Sequence, residues 1–108
     1  MSLAVAPAAQ LELIEAAAWY DAIRPGLGTE FLDAIQEACI RIATDPRLHA
    51  VLEAWTVARW EVRRCCIQRF PYVIVYWIAG WVDGDSVTVV AISHARRRPL
   101  YWIDRMPE

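Results

Sequence analysis

The side chains best equipped for chemistry gather late in the chain: His94, Arg96, Arg97, Arg98, Tyr101 and Trp102, with Arg64 and Arg69 ahead of them. Guanidinium groups clamp carboxylates and phosphates, often through two parallel hydrogen bonds. They stay protonated, so they make poor bases. The Arg96–Arg98 run therefore reads either as a solvated turn with a local positive potential or as a patch that binds an anion. His94 ends an alternating apolar segment, and a hydrogen-bonded histidine at a strand end is a plainer reading than general acid–base work. Tyr101 and Trp102 read as anchors of the terminal segment or as a base-stacking platform. Arg69 lies in a hydrophobic corner, with Asp21 or Glu61 as its expected partner. Asp83 and Asp85 flank Gly84 as turn formers, because two carboxylates lack the further oxygens a calcium loop needs. Cys39, Cys65 and Cys66 are an odd count without metal-like spacing, and are expected to be reduced, buried thiols. Neither a metal nor a cofactor is expected.

These residues need a scaffold, and Arg63–Ala79 supplies its centre. Tyr72–Ala79 is continuously apolar, as a strand buried on both faces requires. Pro71 cannot donate to a sheet, so the stretch divides into strands Arg63–Arg69 and Tyr72–Ala79 around an Arg69–Tyr72 corner. Cys65 and Cys66 then point to opposite faces. Before this centre, Leu3–Ala6 fits an edge strand and Pro7 the first turn of a helix. Ala8–Ile23 is helical, with Ala9, Leu13, Ala16 or Ala17, and Tyr20 inward, and Gln10, Glu12, Glu15 and Asp21 largely outward. Arg24–Gly28 is a tight turn. A second helix spans about Thr29–Thr44, with Thr29 as N-cap and Phe31, Ile35, Ala38 and Ile42 facing inward. The pair forms an antiparallel hairpin over about 8–44.

After Asp45–Pro46, the Arg47–Trp55 connector has no assigned structure. Strand material begins near Thr56–Trp60, and Asp83–Gly84 turns the chain into a last strand, Val87–His94, so the sheet spans about 56–94. A tail, 95–108, follows. The expected class is α+β: a short N-terminal strand, then a helical hairpin on one face of a three-stranded antiparallel sheet. Two helices cover one face only. The second apolar face and the six tryptophans are either covered by connector and tail or given to a partner.

Composition sets outer bounds. The 108 residues suit one domain, 1–108, which buries roughly two thirds of its unfolded surface. No run approaches the ~18 apolar residues of a membrane span. The opening MSLAVAPAAQ lacks the charge and apolar core of a secretory signal, so the expected location is cytoplasmic. All eleven basic residues are arginine, yet net charge is −2, so no global field attracts nucleic acid and any polyanion binding must be local.

An ordered set of residues then resembles the RelE/ParE toxin superfamily of bacterial type II toxin–antitoxin modules. It comprises Trp19–Tyr20, Pro25–Gly28, Glu30–Leu32, Arg69–Tyr72, Ile74, Tyr76, His94, Arg96–Arg97, Pro99 and Tyr101–Trp102. The resemblance implies a cognate protein antitoxin whose C-terminal segment wraps and neutralises the toxin. It implies no membrane and no sequence-specific nucleic-acid binding by the chain alone, and it allows a homodimer or a toxin–antitoxin heterotetramer. The superfamily holds RelE-like enzymes that cut mRNA on the ribosome, using a Lys/Arg cluster and a late tyrosine, and ParE-like inhibitors of DNA gyrase. Nuclease candidates here are Arg64, Arg69, Arg96, Arg97, His94 and Tyr101. A lysine-free chain of pI about 5.6 fits that pattern poorly, so the ParE-like reading is preferred. Its partner-binding candidates are Trp19, Arg69, Tyr72, Arg96, Arg97, Arg98, Tyr101 and Trp102. A non-toxic member that only binds its antitoxin is the third reading.

Overall fold

A computed structural model describes residues 2–51, 61–81 and 84–106. Along the chain lie β1 (Ser2–Val5), α1 (Pro7–Ile23), α2 (Leu27–Thr44), β2 (Ala50–Val51), β3 (Glu61–Cys66), β4 (Tyr72–Trp81), β5 (Gly84–His94) and a 3-10 turn at Ile103–Arg105. The α+β class holds. The sheet is larger than expected: among the described residues it has five strands in the order β1-β5-β4-β3-β2. β1 is an edge strand as anticipated, but it joins the same sheet in parallel with β5, from Ser2 opposite Ser86 to Val5 opposite Val89. The helical hairpin carries the chain away between these two strands, so no local turn signal reveals their pairing. β2 lies inside the unassigned connector and pairs antiparallel with Arg63 and Arg64 of β3. The anticipated strand start at Thr56–Trp60 and residue Asp83 fall outside the described residues.

α1 begins with Pro7, whose missing N–H costs nothing in a first helical turn. α2 begins earlier than a Thr29 cap would allow. Gly26 reverses the chain at φ +90° and occupies the N-cap, while Asp21 Oδ1 accepts the Gly28 N–H at 2.7 Å. A carboxylate from the preceding helix thus does the capping that Thr29 was expected to do. Gly28 is buried between the helices, where a Cβ would collide with the Ala17 carbonyl oxygen and lie 2.8 Å from Asp21 Oδ1.

β4 is apolar on both sides because both sides are covered. Ile74, Tyr76 and Ile78 pack beneath the hairpin with Ala9, Ala16, Tyr20, Phe31, Ile35, Ala38 and Ile42. Val75 points the other way, into a second cluster with Val62, Val90, Ala91 and Trp102. A β-bulge helps build that cluster. Val75 pairs with Ala91 and Tyr76 with Val89, so Val90 is the extra residue and Val90 and Ala91 both face away from the helices. The tail covers this second face: Trp102 is only 3% exposed there, with Leu100, Tyr101 and Met106 around it.

Between β3 and β4 the chain turns near the expected corner, though β3 ends at Cys66 rather than Arg69. The Tyr72 N–H reaches the Phe70 carbonyl at 2.8 Å, with Arg69 in the left-handed region at φ 75°. Phe70 packs edge-on against Tyr20 and Phe31, which fixes the corner to both helices. Cys65 and Cys66 face opposite sides as alternation requires. Cys65 is buried, Cys39 is half-buried and Cys66 is exposed, so burial of all three thiols does not hold.

Gly28→Ala is expected to destabilise the fold by about 1–3 kcal/mol through overpacking of the α1–α2 crossing. Thermal or denaturant unfolding of the variant beside the parent checks this, and an unchanged midpoint would refute the close-approach role.

Candidate functional site

At the end of the sheet where β5 runs into the tail, two clefts of about 200 and 210 Å³ share His94 and Arg97 as a common wall. The first lies on the sheet face away from the helices. Arg64 from β3, Val73 and Val75 from β4, and Arg97, Arg98, Leu100 and Trp102 from the tail border it. The second opens toward α1 and is bordered by Glu12, Glu15, Trp19, Tyr72 and Ile92. One cleft is basic with an apolar floor, and its neighbour is acidic and aromatic.

The tail holds this shape through one carboxylate. Glu12 Oε2 accepts the Tyr101 hydroxyl at 2.5 Å, and Glu12 Oε1 accepts both Arg105 Nη1 at 2.8 Å and the Ile92 backbone N–H at 3.1 Å. Arg105 also reaches the Val90 carbonyl at 2.9 Å. Two guanidinium groups lie over the Tyr101 ring, Arg97 4.1 Å and Arg105 5.1 Å from its centroid. Burial first, and then the Glu12 hydrogen bond, push the Tyr101 phenol up to about 12. His94 Nδ1 accepts the Arg96 backbone N–H at 3.0 Å, and its ring meets Tyr72 edge-on at 5.2 Å.

The fold therefore sorts the candidates. Trp19, Tyr72, His94, Arg97, Arg98 and Trp102 border the paired clefts, and Tyr101 lies beneath Arg97. Trp19 is 60% exposed, but Trp102 is buried and serves as a tail anchor. Arg96 is exposed and borders neither cleft. Arg69 is elsewhere, at the start of α2, where it meets Glu30 at 2.7 Å rather than Asp21 or Glu61. Asp21 is engaged by Gly28, and Glu61 by Arg47 and Arg63. Arg69, and then Arg24, hold the Glu30 carboxyl below its usual range.

The sequence puts Glu12 largely on the outer face of α1, whereas the structure turns it inward, to Tyr101, Arg105 and the Ile92 N–H. The signal was present: Ala9, Glu12 and Ala16 step by three and four, the spacing of the buried stripe. Its charge argued for solvent, whereas Arg105 and Tyr101 supply the partners that a half-buried carboxylate needs.

Glu12→Gln is expected to cost about 2 kcal/mol, since charge-assisted bonds to Arg105 and Tyr101 are lost together. Amide exchange should rise across 100–106, and unchanged exchange there would remove the latch. A pH test follows from the tyrosines. Folding raises the phenol pKa of Tyr20, Tyr72, Tyr76 and Tyr101, mainly through burial, so the unfolded chain ionises first. Stability should be full below the ordinary value of 10.0 and fall as pH rises through about 12, where Tyr101 ionises. Denaturant unfolding at stepped alkaline pH, with tyrosinate absorbance in parallel, measures both effects.

No curated protein matches the chain. The family described as ParE toxin of type II toxin-antitoxin system, parDE, matches residues 3–99, from β1 to the edge of the basic cleft. With nearly the whole fold inside that match, the chain belongs to the ParE toxin family of type II toxin–antitoxin systems.

Proposed function

We propose that this toxin acts by binding, as a ParE-like inhibitor of DNA gyrase that a cognate antitoxin neutralises. The observation that carries this reading is the state of the groups on which RNA cleavage would have to rely. Cleavage needs a base for the 2′-hydroxyl and an acid for the leaving oxygen. Tyr101 instead donates to Glu12 and is covered by two guanidinium groups, and His94 Nδ1 is taken by the Arg96 amide. Arg97 and Arg98 can hold an anion but cannot accept a proton at neutral pH. Arg69 is drawn away to Glu30.

The surface supports a protein partner. On α1, Leu11 (56%), Ile14 (58%), Trp19 and Ile23 are exposed, unusual for one helix in so small a chain. Leu11, Ile14 and Ala18 form a stripe at steps of three and four, which an amphipathic helix or an extended antitoxin arm can cover. Among the described residues no helix is long and apolar enough to cross a membrane.

Gyrase supercoiling with titrated protein is the test. Inhibition that added antitoxin reverses is expected. Supercoiling left intact by folded protein, together with mRNA cleavage on ribosomes, would overturn the reading in favour of the RelE-like mechanism.

A further inference from the structure

We propose that the basic cleft is a carboxylate site. It takes an acidic segment of a partner polypeptide, whose carboxylates are held by Arg64, Arg97 and Arg98 while an apolar side chain fills the floor. This rests on the reading of the surface as a protein-docking face and names the chemistry of the occupant.

The arginines divide into two groups. Arg24, Arg41, Arg47, Arg63, Arg69 and Arg105 each pair with a carboxylate of the chain. Among the described residues, Arg64, Arg96, Arg97 and Arg98 have no such partner, and of these Arg64, Arg97 and Arg98 border the basic cleft. These three come from separate parts of the sequence, Arg64 from β3 and the others from the segment after β5. Like charges brought together without a counter-ion raise the local potential, and a bound carboxylate relieves it. Planar guanidinium groups match carboxylates in paired geometry.

The floor separates a peptide from a nucleic acid. Val73, Val75 and Leu100 give the cleft an apolar base, which suits an aliphatic side chain. A single-stranded nucleic acid asks instead for open aromatic faces on which bases stack. Here Trp102 is buried, and the Tyr101 ring is already covered by Arg97 and Arg105. The net charge of −2 also opposes a long polyanion, while a short acidic segment can sit within the local positive field. Across the His94–Arg97 wall, Glu12 and Glu15 border the neighbouring cleft and would repel an anion. The occupant's acidic part is thereby confined to the Arg64 side, with an uncharged or basic part passing Trp19.

The experiment is fluorescence anisotropy of a labelled peptide of alternating aspartate and leucine, with the asparagine–leucine isostere and a charge-matched oligouridylate as comparators. The aspartate peptide should bind the full chain, with affinity falling as salt rises. The isostere should bind at least about tenfold more weakly, as should the aspartate peptide with the Arg64→Ala/Arg97→Ala double variant. Arg41→Ala, which removes a charge on α2 away from the cleft, should bind like the parent. Thermal melting confirms that each variant is folded. Absence of binding, equal binding of the isostere, or full retention by the double variant would overturn the carboxylate site, and tighter oligouridylate binding would reassign the cleft to phosphate. Supercoiling measured on the same preparations separates the two ideas. Inhibition without peptide binding removes the cleft's assignment and keeps the toxin reading. Peptide binding without inhibition keeps the cleft and removes gyrase as the target.

Discussion

The Glu12 carboxylate is the interaction on which the rest of this structure depends. β1 pairs with β5 only as far as Val89, so among the described residues the outer edge of β5 beyond that point lacks a strand neighbour. Glu12 accepts the Ile92 N–H on that edge, and Arg105 donates to the Val90 carbonyl beside it. An open edge with unpaired backbone groups invites association with other chains. In this chain two side chains, joined to each other by an ion pair, close part of it. The same carboxylate holds Tyr101, so edge closure and tail position are one device.

That device matters because β4 needs two covers. The helical hairpin protects Ile74, Tyr76 and Ile78, and Trp102 protects Val75, Val62, Val90 and Ala91. A tail that crosses the second face also leaves a cleft where it departs from the sheet, and Arg97 and Arg98 are carried to its rim. Tyr101 is a consequence of the arrangement: the phenol that a nuclease would keep free is committed to holding the fold together.

Charge is distributed with the same logic. α1 carries Glu12, Glu15 and Asp21 with no basic residue, whereas the segment after β5 carries Arg96, Arg97 and Arg98 in succession. The near balance of the whole chain hides this polarity. For the protein docking proposed above, such an arrangement would set orientation, because charges matched in one direction are opposed in the other.

Much of this was legible in the chain itself. Helical spacing placed Phe31, Ile35, Ala38 and Ile42 inward, continuous apolarity marked β4 as covered twice, and Pro71 located the corner. The resemblance to the toxin family was carried by short ordered motifs, among them Pro25–Gly28, Arg69–Tyr72, Arg96–Arg97 and Tyr101–Trp102. What escaped were contacts between residues distant in sequence: the parallel pairing of Ser2–Val5 with Ser86–Val89, Glu12 with Tyr101 and Arg105, Arg69 with Glu30, and Arg64 with Arg97 and Arg98 around one cleft. Periodicity, propensity and turn chemistry act over a few residues, so the sequence by itself determined the elements and their buried faces. Only the tertiary structure decided which charges met, because a carboxylate selects its partner by distance and burial after the chain has closed on itself.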